Sequence, residues 1–239
     1  MAKRRKVDSE HEGDDVQREF ASPPCYLGEL DSRFAEPLAA TEDNLRTWRK
    51  HERTRLTAQR QSLTDEERAK RDERIRQHLD SVLNLDGTCL GFCWHLPGEP
   101  DLMPLVRQLT ESGNTAALAV AARKNQPLEF WQWEESTEMV TGSVWNIPVP
   151  AHRISASPDV ILVPLLGFDS AGHRLGNGGG YFDRTLASVD PRPLCVGFGY
   201  DEGRLETIYP QPWDVPMDLI VTERGIVVDS SRVTATGGP

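Results

Sequence analysis

Residues 160–184 read VILVPLLGFDSAGHRLGNGGGYFDR: an apolar run passes into a glycine-rich turn and then into a helix-forming segment. The first seven residues are apolar throughout, as expected of a central strand covered on both faces. Three successive glycines, Gly178 to Gly180, lose more backbone freedom on ordering than other residues would, so holding them between a strand and a helix needs a reason. The helix should run from about Tyr181 to Ser188, and LCVGFGY (194–200) supplies the next strand. Strand, helix, strand order predicts an α/β sheet with mostly parallel central strands, flanked by helices in a Rossmann-like three-layer arrangement.

The pattern extends in both directions. TEDNLRTWRKHERTRLTAQR (41–60) has acids in its first turn and bases later, matching a helix dipole, with Leu45, Trp48 and Leu56 near one face. Thr64 and Glu67 have capping-box spacing and open a second helix with Ile75, Leu79, Val82 and Leu83 as its apolar stripe. TCLGFCWHL (88–96) alternates as a strand, DLMPLVRQLTESG (101–113) is a helix stopped by Gly113, and TAALAVAA (115–122) is another strand. PLEFWQW (127–133) reads as a strand with imperfect alternation, Leu128 and Phe130 on one face, Trp131 and Trp133 on the other. LIVTERGIVVD (219–229) closes as an antiparallel hairpin turning at Glu223 to Gly225. Residues 1–40 and 230–239 lack a sustained period and read as disordered tails around a single domain spanning 41–229.

The 239 residues, 38% hydrophobic and 27% charged, suit a globular protein with a buried core. A formal net charge of -10 argues against nonspecific binding to nucleic acid or anionic membrane and points to small ligands, with a local basic site still open. No run approaches the ~20 apolar residues of a membrane helix, and the basic start MAKRRKVD leads into acids rather than the apolar core of a signal peptide, so a cytoplasmic protein is expected. KRRK reads as a solvated charge run. Cys25, Cys89, Cys93 and Cys195 lack metal-ligand spacing and read as small buried hydrophobes. Oligomeric state is not legible; a monomer is the working expectation.

A glycine turn between the carboxyl end of a strand and a helix start exposes N–H groups that suit phosphate oxygens, and it can adopt the positive φ of an anion-binding nest. Neither G-x-x-x-x-G-K-[ST] nor G-x-G-x-x-G is met, because the lysine is missing from the first and Tyr181 replaces the third glycine of the second. On the residues alone, a phosphate loop and a tight structural connection stand about level. Arg174 before the loop and Asp183 after it place a cation for phosphate and a carboxylate for Mg²⁺ on its two flanks.

VPLLGFDSAGHRLGNGGGYFDRTLA resembles the signature of the 5-formyltetrahydrofolate cyclo-ligase family, R-L-G-x-G-x-G-[YF]-[YF]-D after a strand ending in proline and a phenylalanine-aspartate pair. The likeness includes the basic first helix, LPGEPD (96–101), WNIPVP (145–150) and QPWDVPMDLIVTE (211–223), and so spans roughly Leu45 to Glu223. It implies a Mg²⁺- and ATP-dependent enzyme that closes 5-formyltetrahydrofolate to 5,10-methenyltetrahydrofolate with release of ADP and phosphate.

By that resemblance, Arg174, Leu175, Gly176, Asn177, Gly178, Gly179, Gly180, Tyr181 and Phe182 should hold ATP, with Asn177 to Tyr181 also near the folate. Arg174, Tyr181 and Asp183 are implied in catalysis, and Asp183 and Asp214 as the Mg²⁺ ligands. Arg49, Lys50 and Arg53 correspond to the family's K-x-x-x-R element, with Arg49 at the lysine position and Arg53 also reaching the folate. Glu99 should read the pterin edge and Trp94 line the same pocket. The chain departs from the pattern at Asn177, often larger or basic in relatives, and at Gly179, where some have lysine. A noncatalytic folate- or nucleotide-binding protein, and a phosphotransferase acting on another carbonyl or carboxylate, are the alternatives. Retention of both aspartates favours an enzyme, and Glu99 favours folate.

Overall fold

A computed structural model of the chain describes residues 41–230 apart from Asn84; Cys25, the KRRK run and the expected tails, 1–40 and 230–239 apart from Ser230, lie outside the described residues. Helix α1 (Glu42–Gln61) begins where the Thr41 hydroxyl accepts from the Asn44 amide, and its acidic first turn and Arg60 in the last match the dipole. Helix α2 (Asp65–Val82) opens on a complete capping box, the Thr64 and Glu67 side chains each accepting from the other's backbone amide. Then follow β1 (Cys89–Phe92), α3 (Met103–Glu111), β2 (Thr115–Val120) and β3 (Glu129–Trp133). The second half holds β4 (Met139–Thr141), β5 (Pro148–Pro150), β6 (Val160–Pro164), β7 (Gly167–Phe168), β8 (Arg174–Leu175), α4 (Tyr181–Ser188), β9 (Leu194–Phe198), β10 (Leu219–Thr222) and β11 (Gly225–Asp229).

Seven strands form the main sheet in the order β11-β10-β9-β6-β1-β2-β3. The five inner strands are parallel, and β3 and β11 close the edges antiparallel. The central strand β6 shows why its sequence is apolar throughout. Val160 and Leu162 join one core with Ile75 and Leu79 of α2 and Leu105 and Val106 of α3, while Ile161 and Val163 join a second core with Leu186 of α4. Helices therefore cover both faces, the three-layer arrangement expected.

The imperfect alternation of β3 resolves in the same way: Phe130 packs in the second core, Trp131 and Trp133 against the first. The β10–β11 hairpin turns at Glu223 and Arg224 as expected. Two small antiparallel pairs, β4–β5 and β7–β8, were not anticipated. Among the described residues, no helix is long and apolar enough to cross a membrane.

The topology fixes where a site can form. From β1 the chain lays β2 and β3 on one side, then returns to place β6, β9 and β10 on the other. The order reverses between β1 and β6, and in open α/β sheets ligands bind in the crevice beyond the carboxyl ends of such strands.

Candidate active site

The chain leaves β6 through the β7–β8 hairpin, which Asp169 holds closed. Its Oδ1 accepts from the Ala171 and His173 amides at 3.1 and 3.0 Å and its Oδ2 from the Ile208 amide at 3.2 Å, with only 3% of the residue exposed. The hairpin delivers Arg174 into the crevice, and Gly176 to Gly180 follow. Gly178 and Gly180 sit at φ +93° and +62°, a region that side-chain-bearing residues rarely enter, and Gly180 caps α4 in the left-handed conformation. A Cβ at Gly178 would lie 3.3 Å from Arg53 Cζ, and Arg53 Nε donates to the Gly176 carbonyl at 2.8 Å, so the loop lies directly on this arginine. Burial, with Arg49 nearby, pushes the Arg53 guanidinium below its ordinary value.

The loop forms one wall of a cavity of about 1200 Å³. Six arginines (49, 53, 123, 153, 174, 184) and four carboxylates (Glu99, Glu129, Asp183, Asp214) line it, so this crevice is cationic although the chain carries -10 overall. It therefore favours an anionic ligand.

Two carboxylates stand together beside the loop. Asp183 Oδ1 accepts from Arg174 Nη2 at 2.8 Å and from the Val215 amide at 3.2 Å. Asp214, the residue before that amide, accepts at Oδ2 from Arg49 Nη2 at 2.5 Å and from the Gln211 amide at 2.8 Å. Each carboxylate thus binds protein through one oxygen, leaving Asp183 Oδ2 and Asp214 Oδ1. Among the described residues no group of three or more His, Cys, Asp or Glu side chains could cage a metal. In donor type the two carboxylates would suit Mg²⁺, which takes one or two carboxylates and fills its remaining positions with phosphate oxygens and water.

On the β1 side, Glu99 is 7% exposed; its Oε2 accepts from the Leu96 amide at 2.9 Å and its Oε1 from Asn177 Nδ2 at 3.0 Å. Trp94 donates Nε1 to the Pro148 carbonyl at 2.7 Å and packs edge-on against Phe92 and Trp133. The wall there is aromatic, with a buried carboxylate lining the same cavity. Cys93 also lines the cavity, and burial, with Glu99 nearby, pushes its thiol well above the ordinary value, which makes it a poor nucleophile.

All but one of the residues singled out from the sequence line this cavity. The exception is Lys50, which lies on the exposed side of α1; Arg49 and Arg53 turn inward one helical turn apart, and Lys50, directly after Arg49, points to water. The setting of three others differs from expectation. Arg174 is buried and bonded to Asp183 and, at 2.8 Å, to the Val215 carbonyl. The Tyr181 hydroxyl accepts from the Asn125 amide at 3.1 Å, and its ring lies under Arg184 and against Trp145. Leu175 sends its side chain into a core with Leu56 and Ile208.

Sequence reading missed Asp169 as the anchor of the hairpin, and it missed Arg123, Arg153, Arg184, Trp145 and Trp213 at the cavity. Arg123 had a usable signal: it follows β2, whose carboxyl end opens toward the same crevice.

Comparison with known proteins gives the family. The 5-formyltetrahydrofolate cyclo-ligase family profile matches residues 45–223. The 5-formyltetrahydrofolate cyclo-ligase of Mycolicibacterium smegmatis is 32% identical over 186 residues, 73% of this chain and 94% of that protein. The enzyme of the same name from Escherichia coli is 32% identical over 132 residues, 52% of this chain and 72% of its own length. The NMR structure of Aquifex aeolicus 5,10-methenyltetrahydrofolate synthetase superposes with a TM-score of 0.65 at 27% identity, covering 74% of this chain and 91% of that one. The chain belongs to the 5-formyltetrahydrofolate cyclo-ligase family of enzymes.

Proposed function

We propose that the chain catalyses the ATP- and Mg²⁺-dependent closure of 5-formyltetrahydrofolate to 5,10-methenyltetrahydrofolate, with release of ADP and phosphate. One observation carries the reading. A single cavity at the strand-order reversal has the glycine loop, Arg53 and two carboxylates on one side, and Glu99 and Trp94 on the other. A reaction that joins a triphosphate to a pterin needs both kinds of wall in one enclosure. The names of the relatives support the same chemistry.

In the proposed reaction the formyl oxygen attacks the γ-phosphorus and the bond to ADP breaks. The neighbouring N10 then attacks the activated carbon and loses its proton. The carbon–oxygen bond breaks, inorganic phosphate leaves, and the methenyl bridge carries its positive charge across N5 and N10. Arg53 and the amides of Gly178 to Gly180 bind the anionic tail. Arg174 and Arg49 orient Asp183 and Asp214. Mg²⁺ held by those two carboxylates and phosphate oxygens would neutralise charge as the phosphoryl group moves. Glu99 accepts from the aminopyrimidinone N–H edge and Trp94 gives the ring an apolar wall. Small molecules suffice as partners, and a cytoplasmic setting suits them.

The purified chain, given Mg²⁺, ATP and 5-formyltetrahydrofolate, should form the methenyl product, followed by its near-ultraviolet absorbance, with one ADP per turnover. Nucleotide hydrolysis stimulated by another carbonyl or carboxylate compound, with no methenyl product from the formyl folate, would overturn the substrate assignment.

A further inference from the structure

The family resemblance places Arg49 among the nucleotide ligands. We propose instead that Arg49 is a positioning residue: its guanidinium docks residues 208–214 onto helix α1 and sets the Asp214 carboxylate for the metal, while Arg53 takes the phosphate. The inference rests on the functional reading above and divides the labour of the two arginines within it.

The pair stands one turn apart on the same helix and is engaged in opposite ways. Arg49 Nε donates to the Ile208 carbonyl at 3.3 Å, and its Nη2 donates to the Tyr209 carbonyl at 2.9 Å and to Asp214 Oδ2 at 2.5 Å. Three of its five N–H donors are thus spent on one distant segment, and the Arg49 and Asp214 side chains are only 14% and 10% exposed. Its Nη1 stays open, but a phosphate there would meet a guanidinium whose charge is already shared with Asp214. Among the described residues, Arg53 engages the protein through Nε alone, at the Gly176 carbonyl, and keeps both Nη groups for a ligand.

The segment that Arg49 holds is one that needs holding. Tyr209 sits at φ +52°, a left-handed conformation that a side-chain-bearing residue seldom enters and that persists only where the surroundings impose it. Arg49 takes the carbonyls of Ile208 and of Tyr209 itself, and Trp48 of α1 packs edge-on against the Tyr209 ring, 5.0 Å between centres. Asp214 also closes its own turn, Oδ2 accepting from the Gln211 amide at 2.8 Å and its amide donating to the Gln211 carbonyl at 2.9 Å. Those bonds lie within the turn and shape it without docking it on the rest of the fold. Beyond the turn, the Val215 backbone is tied to Asp183 and Arg174. Asp214 therefore stands between two anchors, and Arg49 is the one that touches its carboxylate. A planar fork can span two carbonyls and a carboxylate at fixed angles, which the point charge of a lysine does not reproduce.

The test is calorimetric binding of a nonhydrolysable ATP analogue to the full chain, in EDTA and in saturating Mg²⁺, with thermal melts to verify folding. The native protein is compared with Arg49→Lys, Arg53→Lys, Asp214→Asn and the Arg49→Lys, Asp214→Asn double variant. Arg49→Lys keeps the charge, so metal-free affinity should stay within about threefold of native. The tightening that Mg²⁺ gives should fall by about tenfold or more, the scale for losing a group that orients a metal ligand. Arg53→Lys should do the opposite, weakening the nucleotide about tenfold with and without Mg²⁺ alike. In the Asp214→Asn background Arg49→Lys should change the tightening no further, because its effect runs through that carboxylate. Arg49→Gln, planar but uncharged, replaces the lysine variant if that one does not fold, and its Mg²⁺ tightening should fall likewise. Metal-free affinity that drops as far in Arg49→Lys as in Arg53→Lys makes Arg49 a phosphate ligand and overturns the proposal, as does undiminished tightening in whichever Arg49 variant folds. If the analogue fails to bind the native chain at all, the functional reading falls with it. Native binding that Mg²⁺ leaves unchanged overturns the metal assignment of Asp214, and this inference with it.

Discussion

Two polar clusters sit at the carboxyl end of the sheet, built from similar groups and finished differently. In one, Tyr200, just after β9, donates to Asp72 Oδ1 at 2.6 Å while the Asp101 amide donates to Oδ2 at 3.2 Å, and the guanidinium carbons of Arg60 and Arg71 lie 5.6 and 5.9 Å from the tyrosine ring centre. Arg60 also donates to the Leu165 carbonyl and Arg71 to Glu202. Both oxygens of Asp72 are taken by the protein. In the other, Asp183 and Asp214 are each held through one oxygen only. A carboxylate bonded through both oxygens inside the protein is tied into the fold, whereas one pinned through a single oxygen keeps the other open toward a ligand.

The comparison breaks if the carboxylate pair proves structural. Asp183→Asn and Asp214→Asn should each lower turnover by about 10²–10³-fold, the scale for losing one charge-stabilising group in a reaction of this kind. Turnover is read beside the melting temperature, and a loss of stability without loss of turnover would place the pair with Asp72. Asparagine is preferred to alanine because, although either change removes the negative charge, its amide oxygen can still accept from the buried Arg174, so folding is less confounded with catalysis. Glu99→Gln should act more weakly, raising the KM for the formyl folate by about 10- to 100-fold, since one charged acceptor becomes neutral and loses a donor match. Steady-state kinetics varying folate and nucleotide separately will show whether the effect stays on the folate side.

Much of this difference was legible in the residues, and the remainder was hidden for physical reasons. Helix α4 and the β10–β11 hairpin were readable because glycines and turn residues punctuate them locally, and β6 because burial on both faces removes polar residues from its whole length. The β7–β8 pair was not, since two-residue strands carry no period; what closes that hairpin is the single Asp169 side chain. The glycine loop, Asp183 and Asp214 stood out because their family signatures are local. The commitment of Arg174 did not, because one of its partners, the Val215 carbonyl, lies 41 positions away. Arg153 reaches the cavity only because its segment lies along the antiparallel edge strand β3, where it pairs with Glu129 at 2.9 Å, and edge pairing leaves no mark in the arginine's neighbours.

The closed cluster should respond in stability instead of turnover. Tyr200→Phe removes the donor to Asp72 Oδ1 with both residues buried, and should lower stability by about 1–3 kcal/mol with turnover at low temperature little changed. Burial already pushes the Asp72 carboxyl up, and the Tyr200 hydroxyl draws it back, so the variant should carry it higher. A carboxyl whose folded value lies above its unfolded one keeps its proton longer in the fold, so stability falls as pH rises between the two values. The deficit of the variant should therefore be larger at neutral than at acid pH, and denaturant melts at both will check it.

The smallest effect is expected where neither cluster is involved. Thr64→Ala deletes one half of the α2 capping box on an exposed helix start and should cost about 1 kcal/mol, in the usual range for an N-cap threonine. Because α2 carries Asp72, Ile75 and Leu79 on its buried side, fraying at Thr64 reaches the closed cluster two turns away but touches no residue of the cavity. The Thr64→Ala, Tyr200→Phe double variant then separates two pictures. Summed losses mean that the cap and the cluster are independent, and a shortfall means that the cap holds Asp72 in register for Tyr200. In both pictures the affinity for nucleotide should stay at the native value, and a change there would tie the closed cluster to the open one.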